Sequence, residues 1–263
     1  MLSREHDHDR LSGPVLGIDV GGSGIKAAVV NTKTGELLST RERVDTPEVS
    51  TPQNVVKAIA GLVEKMSYRG IVGCALPSVV TAGQTRTAGN LDPSWRGCQV
   101  DQLLAEATRC DFVLLNDADA AGLAEITLGS GSGLTGKLLA ITIGTGLGSG
   151  FFLDGKLVPN FELGRLYDDH GRLFEQSASG LARKRDGLSW QEWAERFNLF
   201  LAHVQRIFSP DHVILGGGAS RKFEKFRPWL MPGLSISAAH FGNNAGIIGA
   251  AIQAAGVRNG VRG

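Results

Sequence analysis

The sequence predicts an α/β protein built from two similar halves, and three observations predict it. A short apolar run breaks at a glycine cluster and resumes as a second run, and this unit occurs twice. Each occurrence is followed by helix-spaced segments and further strand-type runs. The 263 residues suffice for two modest domains with cores of their own and for little more. A duplication of α/β halves with a central cleft fits this pattern better than one continuous doubly wound sheet.

The first half opens with Val15 to Val20 (VLGIDV), a strand-type run that stops at Gly21-Gly22-Ser23-Gly24. Ile25 to Val30 (IKAAVV) resumes it, so the pair reads as a hairpin. Glu36 to Arg43 reads as a third, more exposed strand. Val55, Val56, Ile59, Leu62, Val63 and Met66 recur at helical spacing and predict a helix over Pro52 to Met66. Ile71 to Leu76 is a strand ended by Pro77, Val100 to Ala107 a short helix, and Phe112 to Leu115 the next strand.

In the second half Leu138 to Ile143 (LLAITI) runs into the glycine-rich stretch Gly144 to Gly150. Phe151 to Leu153 and Lys156 to Val158 form a hairpin around Asp154-Gly155. Ser189 and Glu192 have capping-box spacing. The helix they open carries the stripe Trp193, Phe197, Phe200, Val204 and Ile207, and Ser209-Pro210 ends it. Val213 to Leu215 leads into Gly216-Gly217-Gly218, and a small-residue helix over about Ala245 to Ala255 closes the chain. The expected limits are a flexible tail over 1–13, a first domain over 14–115 and a second over 116–244. The segment 245–263 supplies the last helix, with the first domain as its packing partner, and a tail.

Bulk properties exclude several classes. The formal net charge is +1, from 27 basic and 26 acidic residues, whereas a nucleic-acid binder usually carries a strongly basic domain. Cys74, Cys98 and Cys110 are an odd, sparse set without metal-ligand spacing, which points to a reducing cytoplasm. No apolar run approaches the roughly 18 residues of a membrane span, and the polar start MLSREHDHDR lacks the apolar stretch of a signal peptide. His6 and His8 within it read as part of a solvated terminus. The 36 glycines sit in short clusters directly after apolar runs, where backbone presses close to something or turns steeply.

Four constellations carry chemistry. In Asp19-Val20-Gly21-Gly22-Ser23-Gly24-Ile25-Lys26, bare backbone N–H groups with Ser23 and Lys26 can face an anion. Asp19 stands where it can hold a hydrated Mg²⁺ beside phosphates; the plainer reading is a hairpin turn with an incidental Asp. Gly144-Thr145-Gly146 opens the second such turn and offers a second phosphate contact. Asn116-Asp117-Ala118-Asp119 lies at a strand-to-helix junction, where carboxylates face the ligand in α/β folds. There Asp117 or Asp119 serves as helix N-cap, as a group aimed at substrate, or one does each. Gly217 and Gly218 form either a side-chain-free floor for a planar or extended donor or simply a tight turn. An alcohol hydroxyl is far too weak an acid to ionise at neutral pH, so transfer of a group onto it requires a positioned base of this kind.

Taken together, LGIDVGGSGIKAAVV, NDADAAGLAE, IGTGLGSG, DGKLVPNFELG, ARKRDGLSW and FSPDHVILGGGAS resemble the ROK-type sugar kinases over nearly the whole chain, Leu16 to Ala255, and among them the polyphosphate glucokinase type. The resemblance implies the actin/hexokinase-like (ribonuclease H-like) two-domain fold. It also implies transfer of a phosphoryl group from polyphosphate or ATP, with Mg²⁺, to the 6-hydroxyl of glucose or a related hexose, in a cytoplasmic enzyme of a kind in which homodimers are common. By the same resemblance Asp117 is the catalytic base, and Asn90, Asn116 and Glu162 bind the sugar. Asp19, Gly21, Gly22, Ser23, Lys26, Gly144, Thr145 and Gly146 face phosphate, and Gly217 and Gly218 form the nucleotide-side turn. Arg165 stands where many members carry histidine, the zinc-binding cysteine cluster is absent, and YDDHGRLFEQ, which includes Glu175, replaces the stretch where a further sugar-contacting glutamate often follows. The basic runs Arg183-Lys184-Arg185 and Arg221, Lys222, Lys225, Arg227 read either as solvated surface or as contacts for a polyanion. The alternatives are a sugar-binding relative with little activity and an ATPase of the same superfamily. The sugar-responsive repressors of the family place a helix-turn-helix domain before the first strand, which this chain reaches by Val15.

Overall fold

The structure, a computed structural model, describes residues 13–258; His6, His8 and nearly all of the expected tail lie outside the described residues. The chain forms two units. One comprises the chain through Ala124 together with the segment from Asn244 onward, and the other is Glu125–Asn243. The division therefore falls inside a helix, α3 (Asp117–Leu128), and not at the strand end near Leu115. The start of that helix belongs to the first unit because Ala120 packs with Ala75, Leu115 and Ala250 there.

In the first unit the sheet has the order β3-β2-β1-β4-β7. Its strands are β1 (Pro14–Val20), β2 (Ile25–Asn31), β3 (Glu42–Val44), β4 (Ile71–Leu76) and β7 (Asp111–Asn116). A small hairpin, β5 (Val80–Thr81) and β6 (Gln84–Thr85), follows β4. Strands β1 and β2 pair antiparallel, while β4 and β7 join in parallel. Helix α1 (Pro52–Lys65) is capped by the Thr51 side chain, has proline in its first turn and buries Val55, Ile59 and Leu62. Helix α2 (Val100–Thr108) buries Val100 and Leu104 and ends at Arg109 in the left-handed conformation.

The expected third strand over Glu36 to Arg43 shrinks to Glu42–Val44, with one isolated bridge between Val30 and Leu37. The Ser39 hydroxyl, at 3.0 Å, accepts the Val29 N–H that a ladder would give to a carbonyl, so the pairing breaks there.

The second unit repeats the arrangement, with sheet order β10-β9-β8-β11-β12. Here β8 (Lys137–Ile143) and β9 (Leu147–Leu153) are the antiparallel pair. Strand β10 (Lys156–Val158) extends it on one side, and the parallel strands β11 (His212–Gly216) and β12 (Ile236–Ala238) extend it on the other. The glycine-rich stretch is mostly strand: Leu147 to Gly150 ladder onto β8, which leaves Gly144-Thr145-Gly146 as the turn. Helices α4 (Phe174–Ala178), α5 (Gly180–Arg185) and α6 (Trp190–Phe208) lie between β10 and β11, and α7 (Gly217–Ser220) and α8 (Phe223–Phe226) between β11 and β12. The Ser189–Glu192 capping box forms in both directions, at 3.2 Å and 2.8 Å. Trp193, Phe197, Phe200 and Val204 are fully buried, but Ile207 is 56% exposed; Phe208 packs instead, on Phe151 and Phe161.

The last helix, α9 (Ala245–Arg258), lies on β1 and β4 of the first unit. Glycine makes that approach possible. A Cβ on Gly17 or Gly73 would run into the Ile247 or Ala250 carbonyl, and one on Gly249 into the Ala120 carbonyl. Among the described residues no helix is long and apolar enough to cross a membrane.

Candidate active site

The β1–β2 register sets Asp19 opposite Lys26. Lys26 Nζ lies 3.0 Å from Asp19 Oδ2, and both side chains are largely buried. The turn is closed by the Gly21 N–H donating to the Gly24 carbonyl at 3.0 Å. Two residues that the sequence reading does not single out brace it. The Thr46 hydroxyl donates to the Gly21 carbonyl at 2.6 Å. Arg43 Nη2 donates to the Ser23 carbonyl at 2.8 Å, while Nη1 pairs with Asp45 at 2.8 Å. A Cβ on Gly24 would come 2.6 Å from Arg43 Nε, so the missing side chain admits the guanidinium. Register was the only available signal for Arg43, which pairs with Lys26 across β2 and β3, and a three-residue strand gives too little alternation to read it.

At Asp19 the helix α9 also comes close: a Cβ on Gly246 would lie 2.9 Å from its Cγ. Beneath, burial and secondarily the Asp19 charge push the Cys74 thiol far up, so it stays protonated and unreactive.

Asn116, Asp117 and Asn90 also belong to the first unit. Asn116 is buried at the end of β7, and its Oδ1 accepts from the N–H groups of Ala118 and Asp119 at 2.8 and 3.2 Å. The capping expected of Asp117 or Asp119 thus falls mainly to Asn116, because the side chain before the first helical residue is the one that reaches those donors. Asn116 Nδ2 donates to the Ser78 carbonyl at 3.2 Å. Asp117, the first residue of α3, is half-buried and accepts from the Ala118 N–H at 2.8 Å. Asp119 is buried. Asn90 is exposed on a turn whose Gly89, at φ 56°, presses on the Pro77 carbonyl. The Pro77-Ser78 segment therefore carries both asparagines, one through the Gly89 turn and the other through the Ser78 carbonyl.

In the second unit the Gly144 N–H donates to the Gly146 carbonyl at 3.1 Å and leaves Thr145 exposed. The ELG segment is fastened to β9. The Ser149 hydroxyl donates to the Phe161 carbonyl at 2.7 Å and accepts from the Leu163 N–H at 3.0 Å, and Gly164 fits only because it lacks a Cβ next to Leu147. Glu162 is thereby held half-buried. Burial raises its pKa, the Arg165 charge works against that rise, and Glu175 adds to it. A Cβ on Gly146 would stand 3.1 Å from Glu175 Oε2. Glu162, Arg165 and Glu175 therefore gather beside the second turn, and Glu175 joins the site although its spacing alone did not mark it.

The glycines of the turns divide into two kinds. Gly217 has φ 75°, and a Cβ there would stand 2.6 Å from the Ile143 backbone, so fold alone demands glycine. At Gly22, Gly144 and Gly218, φ is not positive and a Cβ would meet no described heavy atom within 4 Å. Neither conformation nor packing asks for glycine at those three.

Among the described residues no group of three or more His, Cys, Asp or Glu could hold a metal ion. The donor available at the first turn is Asp19, a single carboxylate already paired with Lys26. Such a set fits a hydrated Mg²⁺ that takes most of its ligands from phosphate and water, the usual habit of that ion at phosphates.

The ROK family model matches residues 15–159. The chain is 40% identical over 238 residues to a polyphosphate glucokinase of Mycobacterium tuberculosis, covering 90% of this chain and 89% of that protein. Among solved structures it is similar to an inorganic polyphosphate/ATP-glucomannokinase from Arthrobacter sp. strain KM, with TM-score 0.88 and 44% identity, covering 93% of this chain and 99% of the other. A ROK family glucokinase from Streptomyces griseus, solved with glucose and AMPPNP, matches with TM-score 0.77 and 27% identity over 92% and 99% of the two chains. With the actin/hexokinase-like architecture of those kinases and this degree of identity, the chain belongs to the ROK family.

Proposed function

We propose that the protein transfers a phosphoryl group from inorganic polyphosphate or ATP to the 6-hydroxyl of glucose or a related hexose, with Asp117 as general base. The observation that carries this reading is the division of labour at the β7–α3 junction. Asn116 caps the helix, and the adjoining Asp117 keeps a half-exposed carboxylate at the C-terminal edge of a parallel pair of strands. The relatives' named activities support the same reading.

Each group has a definable task. The Asp117 carboxylate takes the hydroxyl proton as the oxygen bonds to phosphorus, which typically contributes about 10²–10⁴-fold. Asn90, Glu162 and Glu175 hold sugar hydroxyls. Asn116 Oδ1 is filled by two backbone donors, so a sugar contact from Asn116 comes from Nδ2. Gly22, Ser23, Lys26, Thr145 and Gly146 hold phosphate oxygens through backbone N–H groups, hydroxyls and one ammonium, while Gly21 and Gly144, whose N–H groups are taken by the Gly24 and Gly146 carbonyls, shape the turns. Gly217 and Gly218 form the turn on the nucleotide side when ATP is the donor. A Mg²⁺ ion held through water by Asp19 supplies charge neutralisation on the donor phosphates when bound. Free thiols at Cys74, Cys98 and Cys110 suit the cytoplasm.

The test is a matrix of hexoses against ATP and polyphosphate with Mg²⁺, reading sugar phosphate and free phosphate. The expected result is sugar-dependent phosphorylation with glucose among the best acceptors. Phosphate release at one rate with or without sugar would make the protein an ATPase. Calorimetric glucose binding without turnover from either donor would make it an inactive sugar binder.

A further inference from the structure

Two basic runs lie on the second unit, and the structure ties both to the second turn. The Leu181 N–H donates to the Gly144 carbonyl at 3.1 Å, and a Cβ on Gly180 would stand 3.0 Å from the same oxygen; α5 then leads to Arg183, Lys184 and Arg185. Gly217 presses on Ile143 at the foot of that turn, and α7 leads to Arg221, Lys222, Lys225 and Arg227. Farther out the runs are joined by rings. The Arg183 guanidinium sits 3.8 Å over Trp190, and Trp190 stacks on Phe226 at 5.5 Å. Runs far apart in sequence therefore belong to one surface.

That surface is not evenly neutralised. Arg185 is committed to Asp186, which also takes Arg196, and Arg227 lies 3.7 Å from Glu224. Lys184, Arg221, Lys222 and Lys225 are exposed, and their side chains make no hydrogen bond or ion pair with a described residue. We propose that these four cations form a track for the distal part of a polyphosphate chain whose terminal phosphates occupy the second turn. The proposal rests on the donor reading above. ATP ends in a nucleoside after its third phosphate, whereas a polymer carries charge onward, and exposed cations, individually weak, add up only along such a ligand. A single-stranded nucleic acid is a poorer fit, because it needs open aromatic faces for its bases. Phe223 and Phe226 are buried here and Trp190 is covered by Arg183, which leaves Trp229, 46% exposed, as a single open ring where successive bases would need several.

The experiment replaces Lys184, Arg221, Lys222 and Lys225 together by Gln. A charge-matched control replaces Lys57, Arg96, Arg109 and Arg206, which are exposed elsewhere. KM is measured for long-chain polyphosphate, tripolyphosphate and ATP at several salt concentrations, and binding of end-labelled long polyphosphate is measured directly by anisotropy. The expected result is a rise of about tenfold in KM and Kd for the long chain at low salt, shrinking as salt rises, against no more than about twofold for tripolyphosphate and ATP. The control should stay near the parent on all donors. Equal losses on short and long donors, an equal loss in the control, or a heparin or oligonucleotide competitor displacing the label as well as polyphosphate does would each overturn the track. Were the parent to bind long polyphosphate, lose that binding in the variant, and transfer no phosphate from it, the track would stand and the polyphosphate-donor reading would fall.

Discussion

The two glycine turns sit at equivalent places in equivalent sheets, yet they are built differently. Each lies between antiparallel strands at the same position in sheets of matching order, β3-β2-β1-β4-β7 and β10-β9-β8-β11-β12. The first carries its charge within the hairpin: Asp19 and Lys26 pair across it, and Arg43 lies against Gly24. The second has no charged residue between Gly144 and Gly150, and its charges come from outside the hairpin, at Glu162, Arg165 and Glu175. A duplicated scaffold keeps the backbone that can face phosphate and lets side-chain chemistry diverge around it. In the proposed reaction the first turn holds a cation and an anion together, and the second offers bare backbone to phosphate and carboxylates to sugar.

The largest expected effect tests the residue that has no counterpart in the second unit. Asp117→Asn should lower kcat by about 10² or more while leaving glucose binding and the melting temperature close to the parent's, because Asn116 carries the main cap. Asn116→Ala should do the opposite in kind, costing about 1 kcal/mol or more in urea unfolding through the lost cap. If Asp117→Asn instead lowers stability and retains turnover within a few-fold, Asp117 is a structural residue and the proposed base lies elsewhere.

How much of this was legible in the sequence depended on how local the cause was. The strands around the two turns and the Ser189–Glu192 box are set by neighbouring residues and were readable almost to their ends. The β9 boundary was not, because Gly148 and Gly150 look like turn residues and only the partner strand shows that they ladder. Ser39 replaced a ladder bond by a side-chain bond, which no alternation pattern reports. Arg43 became part of the first turn through register, and Glu175 part of the second through packing against Gly146. Gly17 and Gly73 carried no signal either: their strands read as ordinary, and their meaning comes from α9, more than a hundred residues away.

Those glycines give the second prediction, which sets packing glycines against turn glycines. Gly73→Ala should cost about 2 kcal/mol or more, since the added methyl meets the Ala250 backbone, which cannot rotate away as a side chain would. Gly22→Ala and Gly144→Ala should stay within about 0.5 kcal/mol of the parent, having space for the methyl, but should raise KM for the phosphoryl donor. Urea midpoints with donor kinetics on the same three variants decide it. A turn variant as unstable as Gly73→Ala would show that its glycine serves the fold.

The smallest effect is a pH dependence, and it probes the carboxylates beside the second turn. Burial raises the pKa of Glu162 and Glu175 raises it further, with Arg165 opposing them. A carboxyl with a raised folded-state pKa binds its proton more tightly when folded. Its stabilising contribution is therefore complete below the ordinary carboxylate pKa and is lost as pH rises through the folded value. Glu162→Gln holds a neutral group of nearly the same shape at every pH. The melting temperature of this variant, relative to the parent, should climb by no more than a few degrees between about pH 4 and pH 7 and then level off. Adding Arg165→Met to the parent should enlarge the same climb, because it removes the charge that favours ionised Glu162. A variant that loses stability relative to the parent over that range would mean that Arg165 outweighs burial. Glu162 would then stand as an ion-paired carboxylate, as Asp19 does beside Lys26, and the contrast between the two turns would narrow to backbone alone.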